Sequence, residues 1–188
     1  TYDHVIDTFG LTIGETGIIK ATLGFKGEQE VSGVAAIAGQ TTAAAPTDTI
    51  LSAVQNVEAF YIDGVNYTCK IKSLGVNIGN GYTGDDAAGC QKYYARGAYT
   101  TGGDIAIRSR IDNTLDWEAI YQAATRKAVG VRLSHSASEE TYIVVTRALI
   151  TEHNQEDGAN VVASHQMTYA AEGDSTTGCT IAIYKNWV

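Results

Sequence analysis

The sequence is poor in proline, cysteine and charged residues, and each shortage excludes a class of protein. Among 188 residues there are one proline, three cysteines and one methionine, and 18% of the residues are charged. With 44% hydrophobic residues and 20 glycines, the composition fits neither an intrinsically disordered chain nor a collagen. No apolar run approaches the roughly 20 residues of a membrane-spanning helix. A chain of this length can bury a core of its own as one domain.

The charge balance and the cysteines exclude two further kinds of site. Lys and Arg number 13 against 21 Asp and Glu, and the formal net charge of -8 disfavours a general nucleic-acid-binding surface, because acidic groups repel phosphate. Cys69, Cys90 and Cys179 are an odd set without a C-x-x-C pair, so they indicate neither a complete set of disulfides nor a zinc site. Reduced thiols are the expected state. The residues from Thr1 onwards do not resemble a signal peptide.

Signatures of catalysis and of cofactor binding are also missing. The sequence has no G-x-S-x-G elbow, no H-E-x-x-H, no P-loop and no EF-hand loop. Gly75, Gly79 and Gly81 form a loose glycine series, but they lie within and after a predicted strand with no helix to follow. Such a series cannot hold a phosphate at a helix N-terminus. We therefore expect a protein that is not an enzyme, with no cofactor and no metal.

Two segments with histidine invite a ligand interpretation. A polar cluster could bind a cation, although a solvated hairpin tip explains the same residues and is favoured; its members are Glu152, His153, Glu156 and Asp157. His165 shares a predicted strand face with Ala163 and Met167. This position indicates a core or interface histidine rather than a ligand.

The dominant pattern is a period of two, which is typical of β-strands. From Ile19 to Phe25, apolar side chains occupy every second position. The same alternation recurs in four later segments, at 105–108, 143–149, 161–169 and 179–184. The stretch from Tyr67 to Ile78 changes phase partway, which predicts a bulge near Ser73. Alternating segments flank Asp157-Gly158, and they predict a hairpin there.

Two segments depart from this pattern. Asn113 and Asp116 resemble a capping box, and apolar residues at helical spacing follow, so we expect one helix over about 114–126. Residues 34–56 are rich in Ala, Gly and Thr and include the only proline, Pro46. A loop of this length is usually functional or an interaction arm, and a mobile surface loop is the alternative. The sequence thus predicts one mainly β domain over residues 1–188.

The succession of segments is more specific than any one of them. The stretch Phe9–Gly27 leads into the long Ala/Thr loop, and Lys72–Asn80 follows that loop. An aromatic- and glycine-rich passage, Tyr93–Gly102, comes next, and the chain finishes with the β patterns at Tyr142–Ile150 and Val161–Glu172. Over nearly the whole chain, this order resembles the tail tube protein of long-tailed, non-contractile bacteriophages.

The resemblance implies a β-sandwich flanked by a helix, which assembles into stacked, usually six-membered rings. One sheet of each subunit would join its neighbours around a lumen that conducts viral DNA into the host. A charge of -8 per chain would make that lumen acidic, so that DNA is repelled and not trapped. The implied partners are further copies of the chain, the tape measure protein, the tail tip and tail terminator proteins, and DNA in transit without sequence-specific binding. No membrane is involved, and the implied location is the virion tail, assembled in the host cytoplasm.

Residue-level expectations follow from the same resemblance. The loop at 34–56 is the expected arm between rings, with Gln40, Thr41, Thr42, Ala45, Pro46 and Asp48 as candidate contacts. The strands around Ile18–Phe25 and Tyr67–Ile78 are the expected lumen sheet. Four residues on them are candidates for the lumen sheet or the subunit interface, namely Lys20, Thr22, Lys70 and Lys72. Lysines fit poorly in an acidic channel, so they would instead pair with acidic groups of a neighbouring subunit.

Two alternatives share the predicted β architecture. One is a β-sandwich binding module, such as a capsid decoration or receptor-binding domain, with Tyr93, Tyr94 and Tyr99 as an exposed aromatic patch. The other is the tube protein of a contractile injection or secretion system, which has the same fold. Oligomeric state separates the binding module from the tube proteins.

Overall fold

The computed structural model describes residues 4–27, 50–85, 93–108, 115–136, 138–158 and 161–187. The fold is mainly β, which confirms the predicted class. In chain order the elements are β1 (His4–Ile13), β2 (Lys20–Gly27), α1 (Ala53–Asn56), β3 (Val57–Ile62), β4 (Val65–Asn66), β5 (Ile71–Gly79), β6 (Thr83–Asp85), β7 (Tyr93–Ala95), β8 (Thr100–Arg108), α2 (Trp117–Gln122), β9 (Arg126–Ser136), β10 (Glu139–Gly158), β11 (Val161–Ala171) and β12 (Ile181–Trp187). No helix in these ranges is long and apolar enough to cross a membrane.

Ten strands form one antiparallel sheet in the order β2-β1-β5-β8-β11-β10-β9-β3-β4, with β12 also paired to β10. Strand β10 has 20 residues and changes partners along its length. Its first part, Glu139–Val145, lies between β9 and β12, whereas residues 148–158 pair with β11. The sheet therefore has two parts that share β10. We call β2-β1-β5-β8-β11 with the C-terminal half of β10 the first layer, and the remaining strands of this sheet the second layer.

The buried side chains of both layers form one hydrophobic cluster, as in a β-sandwich. Members from the first layer include Leu11, Ile13, Leu74, Val76, Ile105, Ile107, Met167 and Tyr169. Members from the second layer include Phe60, Ile62, Val129, Val131, Leu133, Ile143 and Val145. Within most strands these residues alternate with exposed ones, because successive side chains of a strand point to opposite faces. Trp117 and Ile120 of α2 close one end of the cluster.

Tyr169 of β11 ties three strands of the first layer together. Only 2% of its surface is exposed, and its hydroxyl donates a hydrogen bond to the Gly75 carbonyl of β5 at 2.9 Å. The side chain reaches β5 across Gly103 of β8, the residue paired with it. A Cβ at Gly103 would lie 1.9 Å from the Gly75 oxygen and 2.9 Å from the Tyr169 hydroxyl oxygen. Glycine is thus required there, and burial raises the pKa of Tyr169 far above its ordinary value, so the phenol remains a donor.

The helix predicted over 114–126 is shorter in the structure. It spans Trp117–Gln122, and its N-cap is Asp116, whose carboxylate accepts a hydrogen bond from the Ala119 N–H at 3.0 Å. The proposed cap Asn113 lies outside the described residues. Arg126 begins β9 and pairs with Leu149, so it does not end the helix as expected. The β pairing of β9 with β10 has overridden the helical spacing at this point.

Other local predictions have mixed outcomes. A register shift between Ile71 and Ser73 confirms the predicted bulge, although β5 begins only at Ile71, because residues 68–70 form a turn. The hairpin at Asp157-Gly158 is present between β10 and β11. The end of the predicted loop contains the short helix α1, and residues 28–49 lie outside the described part.

We expect Tyr169→Phe to lower the free energy of unfolding by about 1–2 kcal/mol, because a buried hydrogen bond is lost without a change in packing volume. Urea denaturation followed by circular dichroism measures the effect. Tyr184→Phe is the matched control, since Tyr184 is 59% exposed, and it should change stability by less than about 0.5 kcal/mol. Equal effects of the two substitutions would show that the Tyr169 hydroxyl does not stabilise the first layer.

Candidate functional site

The face of the first layer opposite the core is lined by small and polar side chains. The strand register brings Lys20, Thr12 and Gly75 into one row across β2, β1 and β5. The neighbouring rows on the same strands also consist of small or polar residues. We call this surface the outer face, and it comprises Thr8, Gly10, Thr12, Lys20, Thr22, Gly24, Gly75, Asn77, Gly79, Thr100, Gly102, Asp104, Thr168 and Ala170.

The outer face is concave and carries little charge. Most of its residues line one open groove of about 650 Å³. Among the residues named, Lys20 and Asp104 carry charge, and Glu152 of β10, which pairs with Thr168, continues this face at its edge. Threonine and asparagine side chains are short and glycine has none, so the backbone of the sheet lies close to the surface of the groove. A polar macromolecule could lie along this face, which offers an open groove and not a closed binding pocket.

An apolar overhang lies at the edge strand of the same layer. On the core side of β2, Leu23 is 50% and Phe25 is 60% exposed, and Ile6 of β1, which pairs with Phe25, is 47% exposed. We call these three residues the overhang patch. Their side chains continue the core face, but in the described part of the chain the second layer does not extend over them. The period-two pattern at 19–25 therefore predicted a strand correctly, but its apolar face is not buried within the subunit.

Lys26 of β2 is held by Asp7 of β1 beside a bulge between these strands. Its ammonium nitrogen lies 2.9 Å from the Asp7 carboxylate and also bonds the Tyr82 carbonyl. The second Asp7 oxygen accepts the Tyr82 N–H at 2.9 Å. The Lys26 hydrogen bond, with help from Tyr82, lowers the pKa of Asp7 below its ordinary value. This contact fixes the end of β2 against β1 and occupies Lys26.

The three predicted site lysines and Thr22 are not brought together. Lys20 and Thr22 lie exposed on the outer face of β2. Lys70 lies in the turn before β5, with its ammonium nitrogen 5.3 Å from the centre of the Tyr67 ring. Lys72 is half-buried on β5 and lines a cleft of about 280 Å³ with Arg108. Lys20 and Thr22 thus lie on the edge strand β2, whereas Lys70 and Lys72 lie at the start of β5, two strands away.

An ion pair beside Lys72 joins the β1–β2 connection to β8. Arg108 bonds the Glu15 carboxylate, and this hydrogen bond, together with the charges of Arg108 and Lys72, lowers the pKa of Glu15. Both side chains are nearly half exposed, so the pair orients the two segments more than it stabilises them. Sequence reasoning missed this contact because its partners are 93 residues apart.

The expected contacts between rings, Gln40, Thr41, Thr42, Ala45, Pro46 and Asp48, all lie outside the described residues. Of the three tyrosines in the alternative aromatic patch, the structure describes the side chain of Tyr99, which is 41% exposed. Its hydroxyl accepts a hydrogen bond from Thr180 at 3.3 Å.

The structure separates the polar cluster on β10. His153 points to the core side, whereas Glu152 and Glu156 share the other side of the strand. His153 Nδ1 lies 2.7 Å from Glu118 of α2, and His153 Nε2 lies 2.9 Å from His165 Nδ1. The ring centres are 5.1 Å apart, so both nitrogens lie near the line that joins them.

In this in-line geometry an N–H of one imidazole points at the lone pair of the other. Metal-binding histidines instead aim their lone pairs at a common third point. The histidine pair therefore ties α2 to the β10–β11 hairpin. Within the part of the chain that the structure describes, no three His, Cys, Asp or Glu side chains converge on a metal position.

Comparison with known sequences identifies the family. No curated protein matches the chain. The model of a protein family described as phage tail tube protein matches residues 1–179 of the 188. That family consists of structural proteins of the virion tail, which accords with the two-layered β fold described above. The chain therefore belongs to the phage tail tube proteins.

Proposed function

We propose that this chain forms the wall of the tail tube as stacked rings of six copies, in which the first layers of neighbouring copies surround a lumen. The outer face of the first layer lines that lumen, and viral DNA passes along it into the host cell. The tape measure protein occupies the lumen during assembly, and the tail tip and terminator proteins close the two ends of the tube.

The overhang patch is the observation that carries this proposal. Leu23 and Phe25 of β2, an edge strand of the described sheet, and Ile6 of β1 form an exposed apolar row. Exposed apolar rows and long unpaired edges favour association, and a ring supplies a neighbour for both. Covering the exposed half of each side chain contributes about 1 kcal/mol per residue. The contact recurs at every interface of a symmetric ring, so its effect on assembly is multiplied.

The chemistry of the outer face suits a conduit. Most of its named residues are threonine, glycine or asparagine, and they include no cluster of lysine or arginine that would hold phosphate groups. The net charge of -8 per chain gives a ring a negative field overall, and this field opposes lasting contact with DNA. A lumen surface of small, weakly charged side chains in an acidic ring allows a DNA duplex to pass without binding to it.

We expect the double variant Leu23→Ser and Phe25→Ser to remain a folded monomer and to lose ring formation, because the apolar cover between subunits is removed. Negative-stain microscopy and light scattering of the purified chain measure the assembly. Val65→Ser is the matched control, since Val65 is 56% exposed at the far end of the second layer, and it should assemble as the wild type does. Rings formed equally by the double variant would contradict the role of the overhang patch.

We also expect Asn77→Lys to slow DNA release from phage whose tails carry the variant, although tubes still form. Each ring then presents a circle of added positive charges that attract phosphate as the duplex passes. The measurement is the rate of DNA release after receptor addition at two salt concentrations, with the delay greater at low salt. Thr125→Lys adds the same charge at an exposed site after α2 and should leave the rate unchanged. Equal rates for both variants would argue against a lumen position for the outer face.

A further inference from the structure

We propose that Glu118, His153 and His165 form an acid-sensitive clasp, which holds α2 against the β10–β11 hairpin near neutral pH and releases it when both imidazoles become charged. The inference concerns a single subunit and does not depend on the proposed ring. Three observations support it: the line of hydrogen bonds through the two imidazoles, the charge that surrounds them, and the apolar contacts that otherwise hold α2.

The line of hydrogen bonds fixes how many protons the two imidazoles can carry. His153 Nδ1 lies 2.7 Å from a Glu118 carboxylate oxygen, which can only accept, so Nδ1 carries the proton of a neutral His153. His153 Nε2 is then a lone pair, and His165 Nδ1, 2.9 Å away, donates to it. One added proton can be accommodated, since one of the two facing nitrogens still keeps a lone pair. A second added proton puts an N–H on both facing nitrogens and removes the hydrogen bond between them.

The Glu118 carboxylate balances one added proton on the pair but not two. One of its oxygens faces His153, and the other accepts a hydrogen bond from Gln122 at 2.7 Å. With two added protons, this one carboxylate faces two like charges whose ring centres are 5.1 Å apart. The side chain of His153 is 4% exposed, so water screens the repulsion poorly.

The other elements packed against the pair supply no second carboxylate among the side chains that the structure describes. Glu152 and Glu156 of β10 share the opposite side of that strand. The described side chains of β8, β10 and β11 on the side of the pair are uncharged, namely Ile105, Ile107, Gln155, Ala163 and Met167. The remaining titratable groups of α2 are Asp116, which accepts the Ala119 N–H, and Tyr121, whose ring centre lies 6.1 Å from that of His153. A contact elsewhere on the His165 ring leaves the proton count unchanged, because the count concerns the two facing nitrogens.

Without the clasp, α2 is held to the sandwich mainly by apolar contacts. Trp117 is 5% and Ile120 is 9% exposed, and both pack on the hydrophobic cluster. The helix has six residues, too few to be stable without tertiary contacts. When the two imidazoles repel each other, α2 therefore loosens and Trp117 becomes exposed at the end of the sandwich.

The release is expected between about pH 6.5 and 5, because an imidazole in water takes up its proton near pH 6.5. In the folded subunit the second proton must break a hydrogen bond, whereas the unfolded chain binds both protons freely. The contribution of the clasp to stability is thus complete above about pH 6.5 and is lost as the pH falls. Ion pairs elsewhere persist in this range, because hydrogen bonds from lysine or arginine lower the pKa of their carboxyl groups, which include Asp7, Glu15 and Glu172.

Tryptophan fluorescence of the full-length chain tests the clasp. Trp187→Phe leaves Trp117 as the one tryptophan, since the sequence has two. We expect its emission to shift to longer wavelength between about pH 6.5 and 5, because the buried indole becomes exposed to water. His165→Asn, added to this chain, places an amide N–H near the position of His165 Nδ1 but takes up no proton, so the emission should stay constant over that range. Thermal unfolding at neutral pH shows that each variant is folded.

His135→Asn is the matched control. His135 is exposed on β9, at the end of that strand far from α2, and bonds Thr141 at 2.8 Å, so this variant should keep the acid shift. A parent chain with constant emission over the range, or a His165→Asn chain that shifts as its parent does, would overturn the clasp. Neither result bears on whether the chain forms rings.

Glu118→Gln gives a second test that does not alter the histidine pair. Glu118 is 54% exposed, so the fold should tolerate the change, and the glutamine oxygen can still accept a hydrogen bond from His153. The charge that balances the first added proton is lost, so the shift in Trp117 emission should begin about one pH unit higher. An unchanged shift would contradict the role of the carboxylate in the clasp.

Discussion

Backbone pairing between antiparallel strands holds the first layer in a single register, and the two faces of that layer depend on it. The register places Leu11, Leu74 and Ile105 on the core side and Thr12, Asn77 and Asp104 on the outer side. A slip of one residue would exchange the faces of a whole strand. The buried hydroxyl of Tyr169, bonded to Gly75 two strands away over Gly103, opposes such a slip, because any shift would separate the donor from its acceptor.

Much of this architecture could be predicted from the sequence. Alternation of apolar residues identified most long strands, and the phase change near Ser73 identified a real bulge. Turn residues at Asp157-Gly158 marked a real hairpin. These features depend on neighbours in the sequence, so local patterns contain them. The family resemblance, carried by the order of segments, agrees with the match over residues 1–179.

The rest depends on contacts that the sequence does not encode locally. The helix ends early because Arg126 pairs with Leu149 in a neighbouring strand. The apolar residues of β2 suggested a buried face, but the subunit leaves Leu23 and Phe25 half exposed, because burial requires an opposing layer at that place. The hydrogen bonds among Glu118, His153 and His165 join three elements, and no local spacing predicts them. Lys20 and Thr22 lie on β2, an edge strand among the described strands, whereas Lys70 precedes β5 and Lys72 lies near its start.

Strand β10 belongs to both layers, and this has a mechanical consequence. Its 20 residues form one strand from the pairing with β9 and β12 to the pairing with β11, with a register shift between Val145 and Ala148 where the partners change. A load applied to the first layer therefore travels along covalent backbone into the second layer, with no loop in between to absorb it. A force directed along the strands is shared among many backbone hydrogen bonds between neighbouring strands at once. The two layers are thus mechanically coupled through the backbone of a single strand.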